Sequence, residues 1–264
     1  MKSPYIFVMI LLCVCSTHAD LGLESSGVVI NERQFECLYN KYGFDNLMTS
    51  VYDPAGFVDE TGITNINNAI DGLGDGLKFR TVSMTPCLAN CQNNLTSGVD
   101  QANAVINRLN KADIVGMIYV KIDKSQPWSS NQQQNQKFII DILSTILLVL
   151  DSTGGNYTYY PGIITNYNSW SSVVGAKFTE ASYLASSLWW VNWNGKQDLT
   201  TGFTPFGGWS QPMVHQYAGN IINNDCATGI NFNYFYTSSD NFLANKNIKK
   251  RKKEHYATKT HQKQ

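Results

Sequence analysis

The sequence predicts an α/β fold, an irregular TIM-like (β/α) barrel formed by a single domain. Short β-type runs alternate with runs of helical spacing through most of the 264 residues, which indicates βα units and a mainly parallel sheet. About seven or eight such units are present, the number that closes a barrel. No break of composition inside residues 20–240 marks a domain boundary, and no internal repeat is found.

The predicted strands are short runs rich in β-branched and aromatic residues. They lie at residues 28–30, 47–52, 79–84, 117–122, 162–165, 188–193, 214–217 and 230–235. Helical spacing of apolar residues predicts helices at 32–42, 64–71, 99–110 and 132–150. The last helix contains the apolar stretch 138–150, which also carries Asp141. This stretch is shorter than the ~20 residues that span a bilayer, so we expect a buried helix.

The first 19 residues have the pattern of a cleaved secretory signal. Lys2 supplies the positive charge, residues 5–14 are apolar, and Thr17 and Ala19 are small residues at the two positions that a signal peptidase reads. The alternative, a membrane anchor, needs about 20 apolar residues, more than this run contains. We therefore predict a signal peptide at 1–19, cleavage after Ala19 and a secreted, extracellular protein.

Four cysteines remain once Cys13 and Cys15 leave with the signal. An even number in a secreted chain favours two disulfides, and four cysteines allow three pairings. The CxxxC spacing suggests one small local loop, which leaves the other two to pair, so the prediction is Cys87 with Cys91 and Cys37 with Cys226. With only 4 His and no CxxC, we expect no metal and no other cofactor.

Charge is balanced overall but unevenly distributed. The chain has 20 Lys plus Arg and 20 Asp plus Glu, and eight of the cations lie in residues 240–264. An acidic body with a basic tail argues against nucleic-acid binding. We predict that the tail, residues 241–264, is disordered: either simply solvated, or attracted to an anionic cell wall or membrane. Asn94 and Asn156 begin glycosylation sequons.

Reactive groups of a (β/α) barrel lie at the C-terminal ends of its strands, which form the barrel mouth. Here these ends are rich in aromatic and amide side chains. Aromatic faces stack on sugar rings and amides bond hydroxyl and acetamido groups, so a carbohydrate ligand is predicted, although aromatic residues in strands more often pack in the core. The predicted substrate-binding residues are Tyr52, Asp53, Tyr119, Trp190, Gln216 and Asn231.

The pattern resembles the glycoside hydrolase family 25 lysozymes, especially the nematode lysozyme-like proteins. The resemblance runs from about residue 27 to 236. It is carried by the order and spacing of SGVVI at 26–30, IYVKID at 118–123, GIITNY at 162–167, LWW at 188–190, HQY at 215–217 and NFN at 231–233. For active members it implies an irregular (β/α) barrel that cleaves the β-1,4 muramic acid linkage of peptidoglycan.

The resemblance also implies which acids should be present, and most are missing. Active members have an Asp in the first strand, where Val29 is matched. They have Asp-x-Glu in the fourth strand, where Lys121 and Asp123 stand, and Asp-x-Asn in the last strand, where Asn231 and Asn233 stand. Asp123 is therefore the predicted catalytic residue, one methylene shorter than the Glu general acid, and loss of a general acid costs about 10²–10⁴ in rate.

Lys121 adds a second difficulty for catalysis. A nearby cation lowers the pKa of a carboxyl, so Lys121 would hold Asp123 ionised and unable to donate a proton. The alternative is that Lys121 lies on the outer face of the barrel. Other enzyme classes find less support, because the chain has no G-x-S-x-G, no phosphate-binding loop and no H-E-x-x-H.

We therefore expect a secreted lysozyme-like protein of innate defence against bacteria that binds peptidoglycan-type glycan through a degraded muramidase site. A weak but active muramidase using Asp123, with help from Asp53, is the alternative. A third possibility is a diverged barrel without a ligand, its mouth filled by its own side chains. The expected partner is bacterial cell-wall glycan, with no nucleic acid, no stable membrane insertion and a monomeric state.

Overall fold

A computed structural model describes residues 19–152, 159–185 and 187–238. Its strands are β1 (Ala19–Ser25), β2 (Phe44–Asp53), β3 (Phe57–Val58), β4 (Phe79–Met84), β5 (Gly116–Lys121), β6 (Tyr159–Thr165), β7 (Ser187–Val191), β8 (Val214–Ile222) and β9 (Asn231–Ser238). Its helices are α1 (Glu32–Tyr42), α2 (Glu60–Leu73), α3 (Gly98–Lys111), α4 (Gln132–Ser152), α5 (Tyr167–Val173) and α6 (Ala181–Leu184). The predicted signal segment before Ala19, the tail and Asn156 lie outside the described residues.

Eight of the strands close into a barrel, which confirms the predicted fold class. The order around the sheet is β1-β9-β8-β7-β6-β5-β4-β2, and pairing of β1 with β2 completes the ring. Neighbours from β1 through β2 and β4 to β8 run parallel, whereas β9 runs antiparallel to both β8 and β1. This antiparallel closure makes the barrel irregular. The two-residue β3 pairs only with the end of β2.

The first strand is where the sequence-based prediction was wrong. β1 ends at Ser25, and residues 28–30 form a loop in which Val28 and Val29 are exposed. The loop is held from the side: the Asn65 carboxamide of α2 accepts from the Ile30 N–H (2.8 Å) and donates to the Val28 carbonyl (2.9 Å). A buried side-chain amide therefore satisfies backbone groups that a strand ladder would otherwise pair.

Helix positions follow the predictions more closely. α1 has the predicted bounds because Asn31 and Gln34 form a capping box at its start and Gly43 adopts a left-handed conformation after its end. α4 buries Ile139, Ile142, Leu143 and Ile146, as expected for a core helix. Within the described part of the chain, no helix is long and apolar enough to cross a membrane.

Two layers of buried side chains lie on opposite faces of the barrel wall. The outer layer packs between strands and helices, and the inner layer fills the barrel interior. Glycine permits the inner packing where aromatic rings contact the wall: a Cβ on Gly22 would lie 2.0 Å from the Phe235 ring, and one on Gly162 would lie 2.5 Å from the Tyr119 ring. The interior is therefore a packed core, and a ligand can be bound only at an end of the barrel.

The base of the barrel, where the parallel strands begin, holds a three-membered ionic group. The Lys78 ammonium lies 2.8 Å from Asp20 Oδ1 and 2.6 Å from Asp45 Oδ2. Asp20 is only 1% exposed. Hydrogen bonds to the two carboxylates raise the pKa of Lys78 to about 12. The single ammonium offsets one of the two carboxylate charges at the end of the barrel opposite the mouth.

Both predicted disulfides are present. Cys37 of α1 bonds Cys226, which lies in the connection between β8 and β9, across a sequence separation of 189. Cys87 bonds Cys91 in a local loop that follows β4. The first bridge joins the beginning of the barrel to its last hairpin and so supports the closure at β1 and β9.

Candidate functional site

The barrel mouth contains a polar cluster that we call the mouth cluster, formed by Glu24, Lys121, Gln216 and Asn233. Each residue lies two positions from an interior residue of its strand, and strand side chains alternate between faces. Glu24 follows Gly22, Lys121 follows Tyr119, Gln216 follows Val214, and Asn233 precedes Phe235. Four strands therefore direct polar side chains to one end of the interior.

Glu24 is the centre of the mouth cluster and is only 6% exposed. Its Oε2 accepts hydrogen bonds from Gln216 Nε2 and from Asn233 Nδ2, the latter at 3.1 Å. The Lys121 ammonium lies 3.9 Å from Oε1. All three neighbours are donors, and an ionised carboxylate, which only accepts, matches such a set.

Glu24 is an acidic residue of the barrel mouth that is absent from the set predicted from the sequence. Val29 was matched to the acidic position of the first strand, but Val29 is exposed in the loop beyond β1. The acidic residue that β1 brings to the mouth is Glu24. The alternation of Leu21 and Leu23 with the intervening residues was the signal that could have identified this strand.

Lys121 faces the mouth, so the alternative that it lies on the outer barrel face is wrong. Its ammonium forms an ion pair with Glu24, whereas the effect predicted from the sequence is on Asp123. The Lys121 ammonium is therefore paired with the buried carboxylate of β1, that of Glu24. It occupies the inward-facing position at which the resemblance implies an Asp.

The two other predicted acids stabilise turns just beyond the strand ends. Asp123 is partly exposed, and its Oδ1 accepts from the Ser125 N–H at 2.9 Å. Asp53 Oδ1 accepts from the Ala55 N–H at 2.7 Å, within the turn between β2 and β3. Each carboxylate thus has one oxygen bonded to local backbone.

A surface groove of about 520 Å³ adjoins the segment that begins with Asp123. It lies between the β5–α4 connection and the end of α5, and its lining is mostly hydroxyl and amide side chains. Trp128 is the aromatic residue in this lining, and its indole N–H donates to the Asp123 carbonyl at 2.9 Å. The groove therefore offers hydrogen-bonding groups next to the predicted catalytic residue.

Three predicted substrate-binding aromatics lie away from the mouth surface. Tyr119 is fully buried in the barrel interior, and its hydroxyl is 2.8 Å from Ser187 Oγ. Trp190 belongs to the outer layer and stacks on His215, with ring centroids 4.3 Å apart. Tyr52 is also fully buried, and burial raises its pKa to about 12. Neither Tyr119 nor Trp190 can contact a glycan in this structure, because each is covered by the protein's own core.

The remaining predicted residues do reach the mouth. Gln216 is buried and bonds Glu24, as described above. Asn231 lies on the same face of β9 as Asn233, two residues farther out, and is exposed. Trp193 is not among the predicted site residues. It lies just beyond β7 and is 52% exposed, and its indole N–H donates to Gln216 Oε1 at 3.1 Å.

His215 fixes the segment that follows β7. Its Nδ1 is 2.5 Å from the Asp198 carbonyl oxygen and its Nε2 is 2.8 Å from the Asn192 carbonyl oxygen. The Asp198 side chain accepts hydrogen bonds from the backbone and hydroxyl of Thr201 and from the backbone of Thr200, which lower its pKa to about 2. The histidine therefore has a structural role outside the barrel wall. In the described part of the chain, no three His, Cys, Asp or Glu residues are grouped as metal ligands.

Comparison with known proteins agrees with this architecture. The chain is 27% identical over 232 residues to lysozyme-like protein 5 of Caenorhabditis elegans, covering 87% of this chain and 98% of that protein. It is 30% identical over 215 residues to the probable GH family 25 lysozyme 4 of Dictyostelium discoideum, covering 80% and 90% of the two chains. The Streptomyces coelicolor lysozyme structure shares the fold with a TM-score of 0.60, at 15% identity and over 86% and 97% of the two chains.

A muramidase structure from Trichobolus zukalii shares the fold as well, with a TM-score of 0.56, 17% identity and coverage of 86% and 98%. Fold and matches together define a barrel of the glycoside hydrolase family 25 class. Within that class, the family model described as lysozyme-like protein 1 matches residues 17–217. The chain belongs to this lysozyme-like family, which confirms the resemblance seen in the sequence.

Proposed function

We propose that this chain is a secreted lysozyme-like protein of innate defence that binds peptidoglycan-type glycan at its barrel mouth, with a degraded muramidase site. The named lysozyme relatives support a peptidoglycan-related role, because the chain spans nearly the full length of several of them. The mouth cluster supports glycan binding, since amide groups and an exposed indole lie around a single buried carboxylate.

The observation that carries the loss of hydrolysis is the pairing of Lys121 with Glu24. Hydrolysis of a glycosidic bond needs one protonated carboxyl at the leaving oxygen and a second group that stabilises or attacks the anomeric carbon. Glu24 has two amide donors and an ammonium at its carboxyl oxygens, so its contacts suit the second group and not the proton donor. Lys121 also occupies the strand position at which the resemblance to active lysozymes implies an Asp.

Two measurements on one preparation test this proposal. Co-sedimentation with insoluble peptidoglycan measures binding, and release of reducing ends from the same material measures hydrolysis. We expect saturable binding and no release above that of a heat-denatured sample. Absence of binding would contradict the glycan-binding role, and reducing-end release that depends on Glu24 would contradict the degraded site.

A weak muramidase remains the second candidate, and Glu24 is the observation that favours it. With Glu24, the mouth has a charged stabilising group in addition to Asp123, for which the sequence predicts help from Asp53 alone. On this reading Asp123 donates the proton and Glu24 stabilises the positive charge that develops on the sugar. Glu24→Gln and Asp123→Asn should then each abolish reducing-end release, whereas Asp75→Asn, in the turn before β4 at the barrel base, should leave it unchanged.

Secretion and glycosylation form part of the same proposal. Two disulfides agree with an oxidising compartment, and Asn94 is exposed on the loop before α3. Expression through a eukaryotic secretory pathway should give a chain that begins at Asp20 by N-terminal sequencing. Removal of N-glycans should lower its mass, and Asn94→Gln should reduce that mass difference. A secreted chain that keeps residues 1–19 would contradict the predicted cleavage.

A further inference from the structure

We propose that Trp193 is the stacking platform for a pyranose ring of the bound glycan, beside Glu24. This inference rests on the proposed function and adds a residue that determines ligand affinity. It assigns to Trp193 the role that the sequence had assigned to Trp190. Three observations support this role. The indole is exposed at the mouth, its ring is held against β8, and its N–H is connected to the Glu24 carboxylate through Gln216.

Trp193 is an exposed aromatic residue at the mouth. It follows β7 by two residues and therefore lies at the C-terminal rim of the barrel. Of its surface, 52% is exposed, whereas Trp190 is 5% exposed and packs on His215. An aromatic ring with this much exposed surface retains an open hydrophobic area to which the C–H groups of a sugar can bind.

The Trp193 ring is held in place against the barrel wall. The benzo part of the indole lies directly on the backbone of β8 at Gly219, where a Cβ would be 2.1 Å from the ring. Glycine is required at this position, since any side chain would push the ring away. The indole N–H donates to Gln216 Oε1, which prevents the ring from turning about its bond to the chain.

The backbone that carries Trp193 is fixed as well. The Asn192 N–H donates to the Gln216 carbonyl at 3.1 Å, and the Gly195 N–H donates to the Tyr217 carbonyl at 3.0 Å. The Asn192 carbonyl faces His215 Nε2. Since ring and backbone are already ordered, a ligand that stacks on this indole loses little free energy in immobilising it.

The Gln216 carboxamide connects the platform to the charged centre of the mouth. Its oxygen accepts from Trp193 and its nitrogen donates to Glu24. Both ends of this buried amide are thus occupied, and the distance between the indole and the carboxylate is set by one side chain. A sugar stacked on Trp193 therefore lies beside the mouth cluster that surrounds Glu24.

Three variants test the platform: Trp193→Ala, Trp193→Phe and the control Tyr183→Ala. Tyr183 is equally exposed, at 51%, and lies in α6 before β7, at the barrel end opposite the mouth. Affinity is measured by calorimetry with a tetrasaccharide of alternating N-acetylglucosamine and N-acetylmuramic acid. Covering about half of an indole predicts about a ten- to fiftyfold loss of affinity in Trp193→Ala.

The Phe variant separates stacking from hydrogen bonding, because it keeps a ring and removes the N–H donor. We expect it to bind within about threefold of the unmodified protein, and Tyr183→Ala to bind equally well. An equal loss in Trp193→Phe and Trp193→Ala would assign the effect to the bond with Gln216 and overturn the platform. Unchanged binding by Trp193→Ala would overturn it while leaving the proposed glycan binding intact. No binding by the unmodified protein would overturn both.

Discussion

Replacement of Lys121 tests the electrostatics on which the proposed loss of hydrolysis depends. In Lys121→Met the Glu24 carboxylate keeps its two amide donors but loses the ammonium 3.9 Å away. In Glu24→Gln the ammonium loses its partner and can turn toward water, since it is about one-third exposed. The double variant removes both charges. A double-mutant cycle over the four proteins therefore isolates the interaction free energy between Lys121 and Glu24.

The expected coupling follows from the distance and the exposure. At 3.9 Å and an effective dielectric constant near 20, two unit charges attract by about 4 kcal/mol. Partial exposure of Lys121 and the immobilisation of its side chain reduce this value, so we expect a coupling free energy of about 1–2 kcal/mol. Lys121→Met should be the more destabilising single change, because it leaves a buried charge with one partner fewer.

The assay is urea unfolding of the four proteins at pH 7, followed by intrinsic fluorescence. The control cycle uses Lys137 and Asp141, an exposed pair on α4 at 2.6 Å, for which a coupling of about 0.3–0.5 kcal/mol is expected. If the Lys121 cycle gives no more than this control, the ammonium does not hold Glu24. Pairing of Lys121 with Glu24 would then not support the proposed loss of hydrolysis.

Three further predictions concern stability. Lys78→Met should lower the free energy of unfolding by about 1–2 kcal/mol at pH 7, because two buried carboxylates lose their cation. This is less than for a fully buried pair, since the Lys78 side chain is 43% exposed and screened by water. The difference from the unmodified protein should shrink as the pH rises from 10.5 to about 12, where Lys78 deprotonates. Asp198→Asn should cost no more than about 1 kcal/mol at neutral pH. That difference should vanish as the pH falls from 3.8 to about 2, where the native carboxylate becomes protonated; a difference that persists at lower pH would contradict this reasoning. Replacing Cys37 and Cys226 by Ser should lower the free energy of unfolding, measured in urea, by about 3–5 kcal/mol, because this bridge closes a loop of nearly the whole barrel. A loss below about 1 kcal/mol would show that the bridge does not constrain the unfolded chain.

The sequence by itself determined the parts of this protein that depend on local patterns. Helical spacing located α1, α3 and α4, and β-type runs located seven of the eight barrel strands. The even number of cysteines and the short spacing of one pair predicted both disulfides. These features were accessible because spacing along the chain decides which face of a helix is apolar and which cysteines lie near each other.

Only the tertiary structure decided which side chains meet at the mouth. Residues 28–30 have strand-type composition, but Asn65 of α2 holds them in a loop, a contact 35 residues away in sequence. Because strand side chains alternate, the face occupied by Glu24, Lys121 or Trp190 depends on where each strand begins and how it pairs. Glu24 lies beside Asn233, 209 residues farther along the chain, because β9 closes the barrel against β1, and no local pattern specifies that pairing.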